Sequence, residues 1–142
     1  MKLTQHTDFS LRLLIFLSLQ NKGELVTIDH VVEHFLILKN HLTKIVNKLS
    51  KLGYINTVRG KNGGICLAKA ASEINLSEVV KAMEANIEVV NCNTPACPLT
   101  NNCELKHILD DAQQAFFSAL AQHTLADICS KPKKIKALLN LS

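Results

Sequence analysis

The chain contains 142 residues, of which 47% are apolar and 20% are charged. A chain of this length and balance forms one domain, alone or with an appended element, and lacks the composition of a disordered protein. Aromatic residues make up only 4%, with no Trp and a single Tyr. The core must therefore be built from aliphatic side chains, which favours helices over an all-β sandwich.

Positive charge is concentrated in the first half of the chain. The net charge is +4, but residues 1–70 hold 10 Lys and Arg against four Asp and Glu. No carboxylate occurs between Glu33 and Glu73, a gap of 39 residues that contains seven cations. They are Lys39, Lys44, Lys48, Lys51, Arg59, Lys61 and Lys69. A solvated basic face is the simpler explanation of a charge run, but a gap of this length indicates a polyanionic partner.

The first apolar segment predicts a buried helix rather than a targeting sequence. Residues 11–19 are mainly apolar, but they are too few to cross a bilayer and no small-x-small cleavage site follows them. We expect a helix that starts near Asp8, where a carboxylate suits the helix dipole, and ends at residues 21–23. This interpretation places the protein in the cytoplasm, where five Cys indicate metal or redox chemistry rather than a disulfide framework.

The next two segments predict a helix-turn-helix. Thr27 is a suitable N-cap for a short helix over 28–35, and a third helix is expected over 39–52 with Gly53 as its stop. Helical spacing divides the third helix into two faces. The inward face is Leu42, Ile45, Val46, Leu49 and Leu52. The outward face is Asn40, Lys44, Asn47, Lys48 and Lys51, which are all amides or cations.

Two short strands follow, over 54–58 and 65–68, joined by a glycine-rich basic tip at residues 59–64. Helices followed by a basic-tipped hairpin predict a winged helix-turn-helix that binds DNA, although a small α+β domain without that role has the same element order. The expected phosphate contacts are Lys44, Lys48 and Lys51, and the expected base contacts are Asn40 and His41. Arg59 and Lys61 would reach the minor groove from the wing.

The rest of the chain predicts further helices around a cysteine-containing loop. Asn75 is a suitable cap for a helix to about residue 85, and a long helix is expected over 104–123. Phe117 widens the apolar side of that long helix, which suggests a dimer contact. Thr124 opens a last short helix, and the basic tail at 131–134 is expected to be loose.

Three cysteines, Cys92, Cys97 and Cys103, lie within 12 residues. Such a loop favours an iron–sulfur or other metal site, with a redox disulfide or inert thiols as alternatives. A fourth ligand is still needed, and both His107 and Asp8 are candidates. Asp8 could instead form an ordinary ion pair with Arg12, and His107 could be a surface side chain. Cys66 and Cys129 stand apart, so we interpret both as structural.

The wing tip at residues 59–64, the three-cysteine loop and the long helix after it occur together over nearly the whole chain. This combination resembles the iron–sulfur winged-helix regulators, a family that includes IscR and NsrR. The nearer resemblance is to its nitric-oxide-sensitive, NsrR-like branch. The residues that carry it are Leu3-Thr4, Thr7-Asp8-Phe9, Leu11-Arg12, Asn40-His41, Lys44-Ile45, Leu49-Ser50, Gly53-Tyr54, Val58 to Ile65, Val89-Val90-Asn91-Cys92 and Thr124-Leu125-Ala126-Asp127.

The resemblance implies a cytoplasmic homodimer that represses transcription at a palindromic operator and releases the DNA when nitric oxide reacts with a bound cluster. It implies an iron–sulfur cluster on Cys92, Cys97 and Cys103, of the [4Fe-4S] type rather than [2Fe-2S], with Asp8 of the partner subunit as fourth ligand. IscR-like members, which sense cluster status or oxidative stress, use three cysteines and a histidine on a [2Fe-2S] cluster.

This chain departs from the IscR-like pattern in its cysteine spacing and in the position of His107, four residues past the last cysteine rather than three. The departure favours Asp8 over His107. Leu38 also departs, since relatives often place a Ser helix cap there.

Taken together, the sequence predicts a mainly α fold with a small β-wing. The predicted parts are a winged helix-turn-helix domain at 1–90, a cluster-binding loop at 91–103, and a dimerisation helix with its tail at 104–142. Two other classes of protein are alternatives to this prediction. A zinc- or disulfide-based regulator would share the fold but lack colour. An enzyme with a cysteine nucleophile would need site motifs that the sequence does not contain, so no enzymatic activity is expected.

Overall fold

A computed structural model of the protein describes residues 2–141. Residues 1 and 142, the outer bounds of the predicted domains, lie outside the described residues. The architecture is mainly helical with one two-stranded antiparallel sheet, which confirms the predicted fold class. The helices are α1 (Gln5–Ser18), α2 (Ile28–Phe35), α3 (Lys39–Lys51), α4 (Leu76–Met83), α5 (Glu104–Ala121), α6 (Leu125–Ile128) and α7 (Pro132–Leu138). The strands are β1 (Ile55–Val58) and β2 (Gly64–Leu67).

The core is aliphatic, as the composition predicts, and it lies where α1 packs on α3 and α4. Leu13, Leu14 and Phe16 of α1 are completely buried in it. α1 begins earlier than predicted, at Gln5, because the Thr4 hydroxyl accepts a hydrogen bond from the Thr7 amide and caps the helix. Asp8 therefore lies in the first turn of α1 rather than at its start.

The helix-turn-helix has nearly the predicted bounds. Thr27 caps α2 by accepting a hydrogen bond from the His30 amide. Gly53 follows α3 with a φ of 82°, a left-handed conformation that glycine adopts without strain. The prediction of an inward Leu52 is wrong, because α3 ends at Lys51 and the Leu52 side chain beyond it is 40% exposed. The other four predicted inward residues of α3 are buried.

The wing is a hairpin in which Val58 pairs with Gly64 and Ile55 with Leu67. Val26 joins its open edge as an isolated bridge, since its amide and carbonyl both bond to Ile65. A Cβ at position 64 would come within 2.7 Å of the Val26 carbonyl oxygen, so only glycine permits this approach. The hairpin is therefore fixed to the segment that leads into α2.

The start of α4 is fixed to the end of α5 by Asn75. Its side-chain oxygen accepts hydrogen bonds from the Ser77 and Glu78 amides, which confirms the predicted N-cap, and its amide nitrogen donates to the Ala121 carbonyl. α5 packs along α4 on one side only, and none of its residues is fully buried. Phe117 lies on that side, with the Lys81 ammonium 4.9 Å from its ring centroid. Phe117 thus contacts α4 of its own chain, so its position does not require a dimer contact, which stays a prediction.

The C-terminal segment forms a helix, so the prediction of a loose basic tail is wrong. α7 begins at Pro132, a residue that suits the first helical turn because it needs no amide partner there. Leu139 and Leu141, just beyond α7, pack against the core and hold the segment in place. Among residues 2–141, no helix is both long enough and apolar enough to cross a membrane.

Candidate DNA-binding surface and cysteine loop

The exposed face of α3 carries amides and cations and no acid. Asn40, Lys44, Asn47 and Lys51 follow one another at helical spacing, and all four side chains are exposed. None of the four takes part in an ion pair within residues 2–141. Free lysines suit phosphate contacts, and amides suit base edges in a groove wide enough to admit a helix. This face therefore has the chemistry of a recognition helix.

Two predicted DNA contacts, His41 and Lys48, lie at the side of α3 against the rest of the protein. The His41 ring stacks on His6 with centroids 6.0 Å apart and meets Phe9 edge-on at 5.4 Å. Lys48 Nζ donates a hydrogen bond of 3.4 Å to the Met83 carbonyl. The expectation that Lys48 lies free on the outer face is wrong, because helical spacing does not reveal that α4 ends beside it. That His41 contacts DNA stays a prediction, whereas the hydrogen bond to Met83 favours a structural role for Lys48.

The tip of the wing presents Arg59 and Lys61, which are both exposed. The turn between them and β2 is tight: a Cβ at Gly63 would come within 2.1 Å of the Val58 carbonyl oxygen. The glycines therefore allow a narrow tip on which two long cations project without nearby acids in the sequence. Such a tip has the shape and charge to enter a minor groove.

Glu84, at the end of α4, joins the start of α1 to α4. The Glu84 carboxylate accepts hydrogen bonds from the Thr4 amide at 2.8 Å and the Thr4 hydroxyl at 3.1 Å. Desolvation disfavours the ionised carboxylate, but hydrogen bonds from Thr7 and Thr4 outweigh it and hold the pKa of Glu84 below its ordinary value. Sequence reasoning missed this contact, because its partners are 80 residues apart and no local motif marks them.

The start of α1, the side of α3 and the end of α4 meet at one place, which we call the three-helix junction. It consists of the contacts made by Thr4, His6, Phe9, His41, Lys48, Met83 and Glu84 described above. His6 lies inside it, and desolvation, with Lys48 and His41 as further causes, lowers the pKa of its imidazole. The junction connects α3 directly to the first turn of α1, which holds Asp8, and to the segment that leads into the cysteine loop.

Backbone hydrogen bonds give the cysteine loop a compact shape. The Cys97 amide donates to the Cys92 carbonyl at 3.0 Å, and the Thr100 hydroxyl donates to the Cys97 carbonyl at 2.6 Å. Cys92, Cys97 and Cys103 are free thiols, each half-buried. Three free thiols on one loop form a soft donor set of the kind that iron–sulfur clusters use.

The thiols do not converge in the conformation described. Within residues 2–141, no three His, Cys, Asp or Glu side chains lie close enough together to hold a metal ion. The donor chemistry thus fits an iron–sulfur cluster, while the structure brings the three cysteines onto one loop without assembling a complete ligand set.

The two candidate fourth ligands have different surroundings. Asp8 forms the ion pair that the sequence left open, accepting hydrogen bonds from Arg12 Nε at 2.9 Å and Arg12 Nη2 at 2.8 Å. His107 is exposed in the first turn of α5, where its backbone amide donates to the Cys103 carbonyl. The identity of a fourth ligand stays a prediction.

The two remaining cysteines have packing contacts. Cys129 Sγ lies 2.9 Å from the Ser18 hydroxyl, and its side chain packs against the core. Cys66 lies in β2 opposite Asn56. These surroundings agree with the structural roles that the sequence suggested for both.

Residues 3–131 match the family of iron-dependent transcriptional regulators called Rrf2. The chain belongs to the Rrf2 family. Membership identifies it as a transcriptional regulator rather than an enzyme, and implies that it binds DNA.

Proteins named as transcriptional regulators align with nearly the whole chain. The HTH-type transcriptional regulator NsrR of Halalkalibacterium halodurans is 46% identical over 144 residues, which cover 99% of each chain. The NsrR of Bacillus licheniformis is 45% identical over 143 residues, which cover 99% of this chain and 100% of the relative. Among solved structures, T. potens IscR has a TM-score of 0.74 at 18% identity, covering 96% of this chain and 91% of that one. The structural likeness supports the winged-helix fold.

Proposed function

We propose that this Rrf2-family protein is a nitric-oxide-responsive repressor whose affinity for operator DNA depends on a bound iron–sulfur cluster. The observation that carries the proposal is the pairing of a free, acid-free recognition face on α3 with a loop of three free thiols on the same chain. The identity of 45–46% to proteins named NsrR supports the NsrR-like resemblance, which implies nitric oxide as the signal.

The repressor binds its operator as a homodimer. Along α5, Leu105, Ile108, Ala112, Ala115 and Ala119 are all exposed and alternate at spacings of three and four residues. Leu105 is 62% exposed and Ile108 57%, which is unusual for adjacent members of one apolar stripe. A stripe with this spacing is the seam along which two helices pack, and small alanines let them approach closely. A second copy of α5 is its natural cover, and a palindromic operator requires the dimer to hold two recognition helices about 34 Å apart.

Cys92, Cys97 and Cys103 would hold the cluster, with Asp8 of the partner subunit as the fourth ligand. A bound cluster supplies iron with which nitric oxide reacts directly. A carboxylate suits the fourth position of a sensor because it is a harder and weaker partner for this iron than a thiolate. The ion pair with Arg12 leaves the Asp8 side chain 43% exposed, so it can be offered to a second chain at little desolvation cost.

The three-helix junction gives a physical route from the fourth ligand to the DNA. Asp8 shares the first turn of α1 with His6 and is adjacent to Phe9, and both of these rings contact His41 on α3. A change in the position of Asp8 therefore acts on α3 through packed side chains. Loss of a bond made by the Asp8 carboxylate would therefore move the start of α1 and weaken the fit of α3 to the operator.

The proposal is tested by purifying the protein without oxygen and measuring visible absorption, iron and acid-labile sulfide. We expect a coloured protein with about one cluster per chain, and a colourless Cys97→Ala variant that remains folded. A wild-type protein without iron or sulfide, which instead carries zinc or forms a disulfide on the same loop, would refute the proposed cofactor.

A second candidate is a regulator of the IscR type that senses cluster status or oxidative stress with His107 as ligand. One observation favours it: His107 is exposed and only one helical turn beyond Cys103, to which its amide is hydrogen-bonded. In that case, His107→Ala would remove the colour and Asp8→Ala would not change the spectrum.

A further inference from the structure

Two leucines project into solvent at the turn between α2 and α3. Leu36 is 92% exposed and Leu38 is 77% exposed. Single exposed leucines are ordinary on protein surfaces. These two are unusual because they lie together beside the face of α3 that carries no acid. Polar residues at these exposed positions would cost the fold no stability.

Each leucine also occupies a position where another residue would stabilise the local structure. Leu36 ends α2 with a φ of 54°, a left-handed conformation that favours Gly or Asn. Leu38 is the N-cap of α3 and makes no side-chain hydrogen bond to the helix. Ser, Thr, Asp or Asn there would bond a free amide of the first turn. Local stability therefore does not explain the leucines, and such a departure points to function.

The place of Leu38 indicates what its side chain meets. It immediately precedes Lys39 and Asn40 at the start of α3, and the first residues of a recognition helix are those that approach base edges. Among the four bases of DNA, only thymine presents an apolar group in the major groove, its C5-methyl. Leu36 caps α2 instead, on the other side of the turn.

We propose that Leu38 is a specificity-determining residue that contacts the C5-methyl group of a thymine in each operator half-site. This inference rests on the proposed DNA-binding function and names a base that the recognition helix selects. The free lysines on the same face hold the phosphates, so the leucine adds sequence preference to a contact that charge alone would leave non-specific.

The test uses a duplex selected by the wild-type protein from a randomised pool. Each thymine of that duplex is replaced in turn by deoxyuracil, which removes only the methyl group. For the wild type we expect one position per half-site at which the replacement weakens binding about fourfold, the value of one buried methyl group. Leu38→Met should keep this sensitivity, because it stays apolar, and Leu38→Ser should lose it.

Two controls separate a base contact from damage to the fold. Leu38→Ser supplies the missing helix cap, so it should raise the melting temperature while it abolishes the methyl effect. Leu36→Asn removes the neighbouring exposed leucine and should leave the methyl effect unchanged. A wild-type protein that binds the selected duplex equally with thymine and deoxyuracil would overturn the inference and leave the DNA-binding function intact. A Leu38→Ser variant that keeps the sensitivity to the methyl group would also overturn the inference and leave the DNA-binding function intact. Failure to select any duplex would overturn both the inference and the DNA-binding function.

Discussion

Asp8 can serve both as an ion-pair partner and as a cluster ligand because its bond to Arg12 is easily given up. The two side chains are 43% and 48% exposed and lie one helical turn apart. Exposed pairs of this kind contribute at most about 1 kcal/mol, since water and salt screen them. The ion pair therefore orients the Asp8 carboxylate but holds it weakly. A bond from the carboxylate to iron would replace the ion pair readily.

The three candidate ligand types should respond differently to substitution. Asp8→Ala should leave a cluster held by three thiolates, with an altered absorption spectrum and weaker operator binding. Cys97→Ala should prevent stable cluster binding, and His107→Ala should change neither property. Absorption spectra and gel-shift affinities of the oxygen-free proteins measure both effects. If His107→Ala bleaches the protein while Asp8→Ala has no effect, the ligand assignment is wrong.

Glu84→Gln should lower the free energy of unfolding at neutral pH by about 1 kcal/mol, the value of a partly exposed hydrogen bond to a charged group. Hydrogen bonds from Thr7 and Thr4, acting against desolvation, hold the folded-state pKa of Glu84 below its ordinary 4.5. The contribution of its charge is therefore fully present above pH 4.5 and is lost as the pH falls through the lower folded value. Urea unfolding of both proteins across this range should show their difference shrinking.

Glu88→Gln serves as the matched control, because Glu88 is exposed beyond α4 and its substitution should change stability little. A difference between wild type and Glu84→Gln that stays constant down to the lowest pH would show that the carboxylate is not stabilised as described.

At the scale of elements, the sequence was most informative where one element sets its own boundaries. Thr27, Gly53 and Asn75 predicted their caps because capping depends on a few adjacent residues. Spacing also separated the two faces of α3. Spacing did not predict the position of Lys48, because the burial of a side chain at the edge of a helix face depends on which distant element packs beside it. The start of α7 was missed because the basic run at 131–134 was interpreted as a loose tail, although a proline such as Pro132 also starts helices.

Lys44 and Lys48 should therefore behave differently, although both lie on α3. Lys44→Ala should reduce the dependence of DNA affinity on salt by about one unit per subunit, since it removes one phosphate contact. Lys48→Ala should leave that dependence unchanged and lower the free energy of unfolding by about 0.5 kcal/mol, as the hydrogen bond to Met83 is lost. If both variants lower the salt slope equally relative to the wild type, both lysines face the DNA.

The wing should read the width of the minor groove. Arg59→Ala should weaken binding more on sites with A·T-rich sequence beneath the wing than on G·C-rich sites, because a narrow A·T groove attracts arginine. Affinities for duplexes that differ only in these flanking bases measure the effect. An equal loss on every sequence would argue against insertion of Arg59.

At the scale of the whole molecule, the sequence could suggest an association but not the surface that makes it. The width of the apolar side of α5 suggested a dimer through Phe117, yet the fold uses Phe117 against α4 and leaves the stripe from Leu105 to Ala119 free. Only the packing of α4 on α5 distinguishes these two sides. The three-helix junction was equally inaccessible, since it joins residues from opposite ends of the DNA-binding region.

The stripe predicts that Ile108→Glu converts the dimer to a monomer without unfolding the chain, because Ile108 is exposed in the single subunit. Light scattering at micromolar concentration should give twice the chain mass for wild type and the chain mass for the variant. Gln114→Glu adds the same charge at an exposed position outside the stripe and should remain dimeric. A wild-type protein that is monomeric, with or without its cluster, would rule out a two-half-site repressor.

The state of the cysteine loop is proposed to control DNA affinity, and an anaerobic titration tests this control most directly. Nitric oxide is added in steps to the coloured protein on its selected duplex, while cluster absorbance and the bound fraction of DNA are recorded together. We predict that both fall in parallel, and that Cys97→Ala binds the duplex weakly from the start and does not respond. DNA binding that persists after the cluster absorbance has been lost would contradict the claim.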